Sequence, residues 1–122
     1  MIELTLAMAE RATSAAREKA DALGTPMTIT VVDEAGRLVL CARGDGTGFF
    51  TPETSRAKAM AAASFRMSTA DLAERVAKGA PFWTHVGSVL SGQVLPSHGA
   101  VPIVVKGRVI GAIGCGGGTG EQ

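Results

Sequence analysis

Residues 98–118 constrain this chain more than any other stretch. Two apolar, β-branched runs, Val101 to Val105 and Val109 to Ile113, flank Lys106-Gly107. That arrangement reads as an antiparallel hairpin with a tight turn. Both runs are nearly continuous in apolar residues, so the pattern predicts a hairpin covered on both faces. Gly111 and Gly114 recur inside the second run. Glycine weakens a strand, so its use there predicts that something lies very close to the backbone. The chain upstream must therefore supply layers that pack onto a central hairpin.

The upstream periodicities supply them. Ile2, Leu6, Ala9, Thr13, Ala16, Ala20 and Leu23 follow a three-four spacing, one face of a helix over 2–23. Gly24 and Pro26 stop it. Its small residues let a neighbouring backbone come close. Residues 27–33 alternate as a strand, Asp33-Glu34-Ala35-Gly36 forms a turn, and Arg37 to Arg43 returns with Leu38, Leu40 and Ala42 expected on one face, giving a first hairpin. A glycine-rich loop carries Phe49-Phe50. Thr51-Pro52-Glu53 then opens a helix to about Arg66, with Thr51 expected as N-cap and Ala57, Met60, Ala61, Ser64 and Phe65 expected inward. Ser68-Thr69-Ala70-Asp71 starts a short helix that ends at Gly79. Residues 80–100 hold many breakers and are expected to be irregular. Helix, hairpin, helices, hairpin makes an α+β domain with an antiparallel sheet, one domain over 1–122.

Composition excludes several classes. The net charge is +1 and no basic block exceeds two residues, which argues against nucleic acid as a partner. No run approaches the ~18 apolar residues of a membrane span. The start, with Glu3 already in an amphipathic pattern, reads as helix rather than leader. Cys41 and Cys115 sit in strand-like runs and are expected to be buried, reduced thiols in a cytoplasmic protein. Gly114-x-Gly116 lacks the third glycine of a dinucleotide fingerprint, because position 119 is threonine. Cys-x-x-Cys and His-Glu-x-x-His metal motifs are missing from the sequence.

What remains is a set of candidate ligand-binding side chains. His85 and His98 could ligate a metal or move protons, and His98 is better placed because a rigid hairpin start would hold it. Arg43 could clamp a carboxylate, or pair with Asp45 within its own turn. Arg56 and Lys58, near a helix N-terminus, could attract an anion. Phe49, Phe50, Phe82 and Trp83 hold nearly all the aromatic surface and are expected in irregular segments, as walls of a pocket or subunit contact.

These residues also carry a family resemblance. Val31-Val32-Asp33-Glu34-Ala35-Gly36-Arg37-Leu38-Val39 comes first, then Arg43-Gly44-Asp45-Gly46 and Ser55-Arg56-Ala57-Lys58-Ala59. Gly99-Ala100-Val101-Pro102-Ile103-Val104 and Val109-Ile110-Gly111-Ala112-Ile113-Gly114 complete the set. Together they resemble the GlcG/HbpS-like family, which includes the C-terminal domain of PduO-type proteins. The resemblance implies a profilin-like α-β-α fold with about five antiparallel strands and self-association into homo-oligomers. It also implies a small-molecule ligand, haem or a related carboxylate-bearing molecule, with His98 as the expected iron ligand. The ligand set expected on this basis is Arg43, Asp45, Phe49, Phe50, Arg56, Lys58, Trp83, His85 and His98. An alternative is a cofactor-independent enzyme acting on a small organic acid through His98 and Arg43. Family members usually continue past the Gly-Gly-Thr-Gly-Glu-Gln segment into a final helix, which is expected to be missing here.

Overall fold

The computed structural model describes residues 3–117. Helix α1 spans Leu6–Leu23. Thr5 caps it, its hydroxyl accepting from the Met8 amide at 3.1 Å, and Gly24 ends it in the left-handed conformation at φ 67°. Strands β1 (Thr28–Asp33) and β2 (Leu38–Ala42) form the first hairpin. Helices α2 (Thr51–Phe65), α3 (Thr69–Ala77) and α4 (Pro81–Val89) follow. Strands β3 (Ala100–Val105) and β4 (Arg108–Gly116) close the sheet. Its order is β2-β1-β4-β3, antiparallel throughout. The architecture is the expected α+β one, with four strands among the described residues rather than about five. Ile2, expected at the start of the first helix, lies outside the described residues, and so does the segment from Gly118 onward, past which the family's final helix is expected to be missing.

Strand alternation separates the sheet into two faces. Thr28, Thr30 and Val32 of β1, with Ala112, Gly114 and Gly116 of β4, face α2. Ile29 and Val31 face the other way and are fully buried, on the side where α1 packs. The close approach expected at the glycines is present. A Cβ on Gly114 would sit 2.3 Å from the Ser55 carbonyl oxygen and 3.0 Å from the Ala59 nitrogen. Val32, Ala59, Ala62, Ala63, Ala100 and Ala112 form the core beneath α2. The inward residues of α2 are thus Ser55, Ala59, Ala62 and Ala63. Ala61 instead packs outward with Leu72 and Val94, while Ser64 is exposed.

Several expectations are corrected. Residues 81–89 are helical, because Pro81 occupies the first position of α4, where it has no amide to lose. Phe82 and Trp83 therefore lie on a helix, packed with Phe65. Thr51 is the first helical residue rather than the cap, since its hydroxyl turns to Thr28 at 2.7 Å. Cys41 is exposed on the edge strand β2, and Cys115 is half-buried. A register shift between Val31 and Val32 puts Leu40 and Leu38 on opposite faces. The final hairpin is covered at β4, but Val101 and Val104 of β3 are about half exposed (51% and 54%).

The free edge of β3 is closed by other means. The Cys115 amide donates to the opposite Gly99 carbonyl at 2.7 Å, so the next residue, Ala100, turns its backbone groups away from β4. The buried Thr69 hydroxyl takes both, accepting from the Ala100 amide at 2.9 Å and meeting its carbonyl at 3.2 Å. Pro102, two residues on, has no amide to offer.

Candidate functional site

The two hairpins and α2 converge at one end of the sheet. Thr28 opposes Gly116, Ile29 opposes Ala42, and Ala100 opposes Gly114, so β2 and β4 end where β1 and β3 begin. The first turn of α2 is fixed to the same end through Thr51 and Thr28. Six of the expected ligand residues follow from these ends. Arg43 and Asp45 leave β2, Phe49 and Phe50 lead into α2, Lys58 lies two turns along it, and His98 precedes β3.

The phenylalanines are exposed (81% and 56%) and in contact with each other, ring centroids 4.4 Å apart and ring planes tilted by 55°. Large exposed aromatics are unusual unless a ligand or partner covers them. Arg43, Asp45 and His98 are also exposed. Gly99, after His98, has φ 127°, and a Cβ there would lie 2.9 Å from the Cys115 oxygen and 3.2 Å from Lys58 Nζ. Gly99, next to His98, is thus held between β4 and the Lys58 side chain. Half-buried Lys58 donates to the Cys115 carbonyl at 3.2 Å. Burial pushes the Cys115 thiol pKa up, and the Lys58 charge partly opposes this. Beside Asp45 a cleft of about 190 Å³ is lined by Arg17, Asp21, Thr25, Met27 and Gly44.

The other three expected residues lie elsewhere. Trp83 packs at a tilt against Phe65, the last residue of α2, with ring centroids 5.2 Å apart. Fifteen helical residues span about 20 Å, so Trp83 is at the opposite end of α2 from Phe49-Phe50. His85 is exposed on α4, one turn beyond Phe82. Arg56 opens onto a separate cleft of about 270 Å³ with Glu53, Met60 and Gln93. Among the described residues no group of three or more His, Cys, Asp or Glu could hold a metal ion, and no helix is long and apolar enough to cross a membrane.

A cluster of hydroxyls underlies this end of the sheet and was not singled out from the sequence. Thr28 meets Thr51 at 2.7 Å and Thr47 at 3.1 Å, and accepts from the Gly44 amide at 3.2 Å. Thr30 meets Ser55 at 2.7 Å and the Cys41 sulfur at 3.3 Å. The signal was available. Threonines at alternate positions of an apolar strand match Thr51 and Ser55, four apart on a helix.

An α+β fold with helices packed on a four-stranded antiparallel sheet defines the structural class. The chain belongs to the HbpS-like family: the family model described as "Haem degrading protein HbpS-like" matches residues 4–122. The chain is 33% identical over 121 residues to a 15.0 kDa protein of the dhaT-dhaS intergenic region of Citrobacter freundii, covering 98% of this chain and 83% of that protein. It superposes on the Klebsiella pneumoniae protein ORFY with a TM-score of 0.90 at 27% identity, covering 99% of this chain and 83% of that one. It also superposes on the PduOC:heme complex with a TM-score of 0.88 at 28% identity, covering 98% and 86%.

Proposed function

We propose that this HbpS-like domain binds a wide, planar, carboxylate-bearing ligand of the haem class at the rim formed by Arg43, Asp45, Phe49, Phe50, Lys58 and His98. The carrying observation is the gathering of an exposed aromatic pair, an exposed imidazole and an exposed guanidinium at one end of the sheet. The haem complex of a related PduOC domain and the family description support the same class. Phe49 and Phe50 provide the apolar wall, Arg43 pairs a carboxylate, and His98 offers its imidazole to iron. Haem when bound would supply a redox-active iron centre. A cytoplasmic setting agrees with two free cysteines.

Ligand width separates this reading from turnover of a small organic acid. Arg43 follows one edge strand and His98 precedes the other. Three strand spacings, about 14 Å, separate those strands. A macrocycle reaches across that distance and a small acid does not.

Titration of purified protein with haemin, followed at the Soret band, tests the proposal. The expected result is a shifted, saturable Soret band. His98→Ala should change the band position, His85→Ala should not, and Phe50→Ala should weaken binding about tenfold. No Soret shift, or a band indifferent to His98→Ala and Phe50→Ala, overturns it.

A further inference from the structure

Glu53, Arg56, Ala57 and Met60 follow one another at three- and four-residue steps, so they form a single stripe along α2. That stripe is one wall of the cleft of about 270 Å³, and Gly92 and Gln93 form the other. The second wall is held in place. Ser91 adopts the left-handed conformation at φ 54°, Gly92 follows at φ 73°, and the Gly92 amide donates to the Gly87 carbonyl at 2.8 Å. A serine in that conformation is strained, so its surroundings must hold it there. Leu95, just beyond, donates its amide to the Ala57 carbonyl at 3.1 Å and ties the segment to α2. Glu53 and Arg56 are exposed, opposite in charge and one turn apart, yet neither forms an ion pair among the described residues. Glu53 lies in the first turn of α2, where the helix dipole favours its charge. Arg56 gains no such help. The cleft thus offers one anion, one cation and the Gln93 amide around a half-buried apolar floor of Ala57 and Met60.

We infer that this cleft binds a small zwitterion, an α-amino acid with an apolar side chain, at a site separate from the rim proposed above. Arg56 takes the carboxylate through two parallel N–H donors. Glu53 takes the ammonium, and the ligand's side chain lies on Ala57 and Met60. Charge selects the class. A dicarboxylate would set an anion against Glu53, and a diamine would set a cation against Arg56. Size narrows it further. The cleft holds the liquid volume of about nine water molecules, which suits a ligand of roughly nine non-hydrogen atoms, the size of leucine or methionine. The flexible thioether of Met60 adapts to either side chain. Two exposed charges supply the main contacts, so the affinity is modest, about 0.1–1 mM.

The test is titration of the haem-free full chain with L-leucine and L-methionine at neutral pH, followed by amide NMR. Saturable shifts of the Gly92 and Gln93 amides are expected with at least one of the two. Isocaproate, which is leucine without its ammonium, and isoamylamine, which is leucine without its carboxylate, should each bind at least about tenfold more weakly than leucine. Glu53→Gln should abolish the preference for leucine over isocaproate, and Arg56→Gln the preference over isoamylamine. Both substitutions are on the surface, and circular dichroism confirms that each variant folds. No saturable shift with either amino acid, shifts that spare Gly92 and Gln93, equal affinity for leucine and isocaproate, or preferences unchanged in the two variants overturns the inference.

Discussion

The two faces of the sheet are built on different principles, and β1 shows the difference within a single strand. Toward α1 it presents Ile29 and Val31, which fill space in the ordinary way of a hydrophobic core. Toward α2 it presents Thr28 and Thr30, whose hydroxyls meet those of Thr51 and Ser55. Opposite them β4 presents glycines, so the α2 backbone comes down nearly onto the sheet. The apolar face tolerates small changes of volume, because neighbouring side chains can shift. The polar, glycine-lined face cannot, because backbone meets backbone. It is also the face that fixes the rim, since α2 carries Lys58 and follows Phe49-Phe50. Packing and the proposed binding rim are thus coupled on one side of the sheet and separate on the other.

Substitutions on the two faces can break that contrast. The largest effect is expected for Gly114→Ala, whose new methyl meets the Ser55 carbonyl and the Ala59 nitrogen. Destabilisation above about 3 kcal/mol by urea unfolding is expected, and a loss below about 1 kcal/mol would show that α2 can lift. Next, Thr30→Val keeps the shape but removes a hydroxyl from a buried chain, and should cost about 2 kcal/mol. Ile29→Val on the opposite face removes one methylene and should cost about 1 kcal/mol. A reversed order between these two would mean that the hydroxyls contribute little.

The smallest effect concerns the β1–β2 turn, away from both packed faces. Burial raises the Asp33 pKa, but amides of Arg37 and Ala35 and the Arg37 guanidinium outweigh it and hold the carboxyl below its usual 3.8. A depressed folded pKa means the stabilisation is present above pH 3.8 and is lost as pH falls below it. Asp33→Asn should therefore cost under about 1 kcal/mol at pH 7, and the gap from wild type should close as the pH is lowered below 3.8. A gap that persists in acid would place the effect in the shape of the turn.

Much of this fold was legible because single residues decide local structure. Gly24 ends α1, Asp33 to Gly36 makes a turn, and Gly114 required a close neighbour. Helix α4 was not legible, because Pro81 and Gly87 read as breakers when taken alone. Only tertiary packing of Val86 and Trp83 shows that a helix forms between the proline and the turn at Gly92. Cys41 resembled a core residue because its neighbours are apolar, yet β2 is an edge strand and leaves it open. Among the expected ligand residues, chemical type was readable but grouping was not. Phe49 and Trp83 look alike in sequence, and the length of α2 holds them apart.

The hydroxyl of Thr69 has a consequence for how this molecule meets its surroundings. With Ala100 plugged and Pro102 mute, β3 offers an incoming strand almost no place to begin, and the irregularity at Val39 does similar service on β2. Growth by adding strand to strand, the usual route from a small sheet to a fibril, is obstructed on both flanks. Recognition is left to the tips of the strands and the outer surface of the helices.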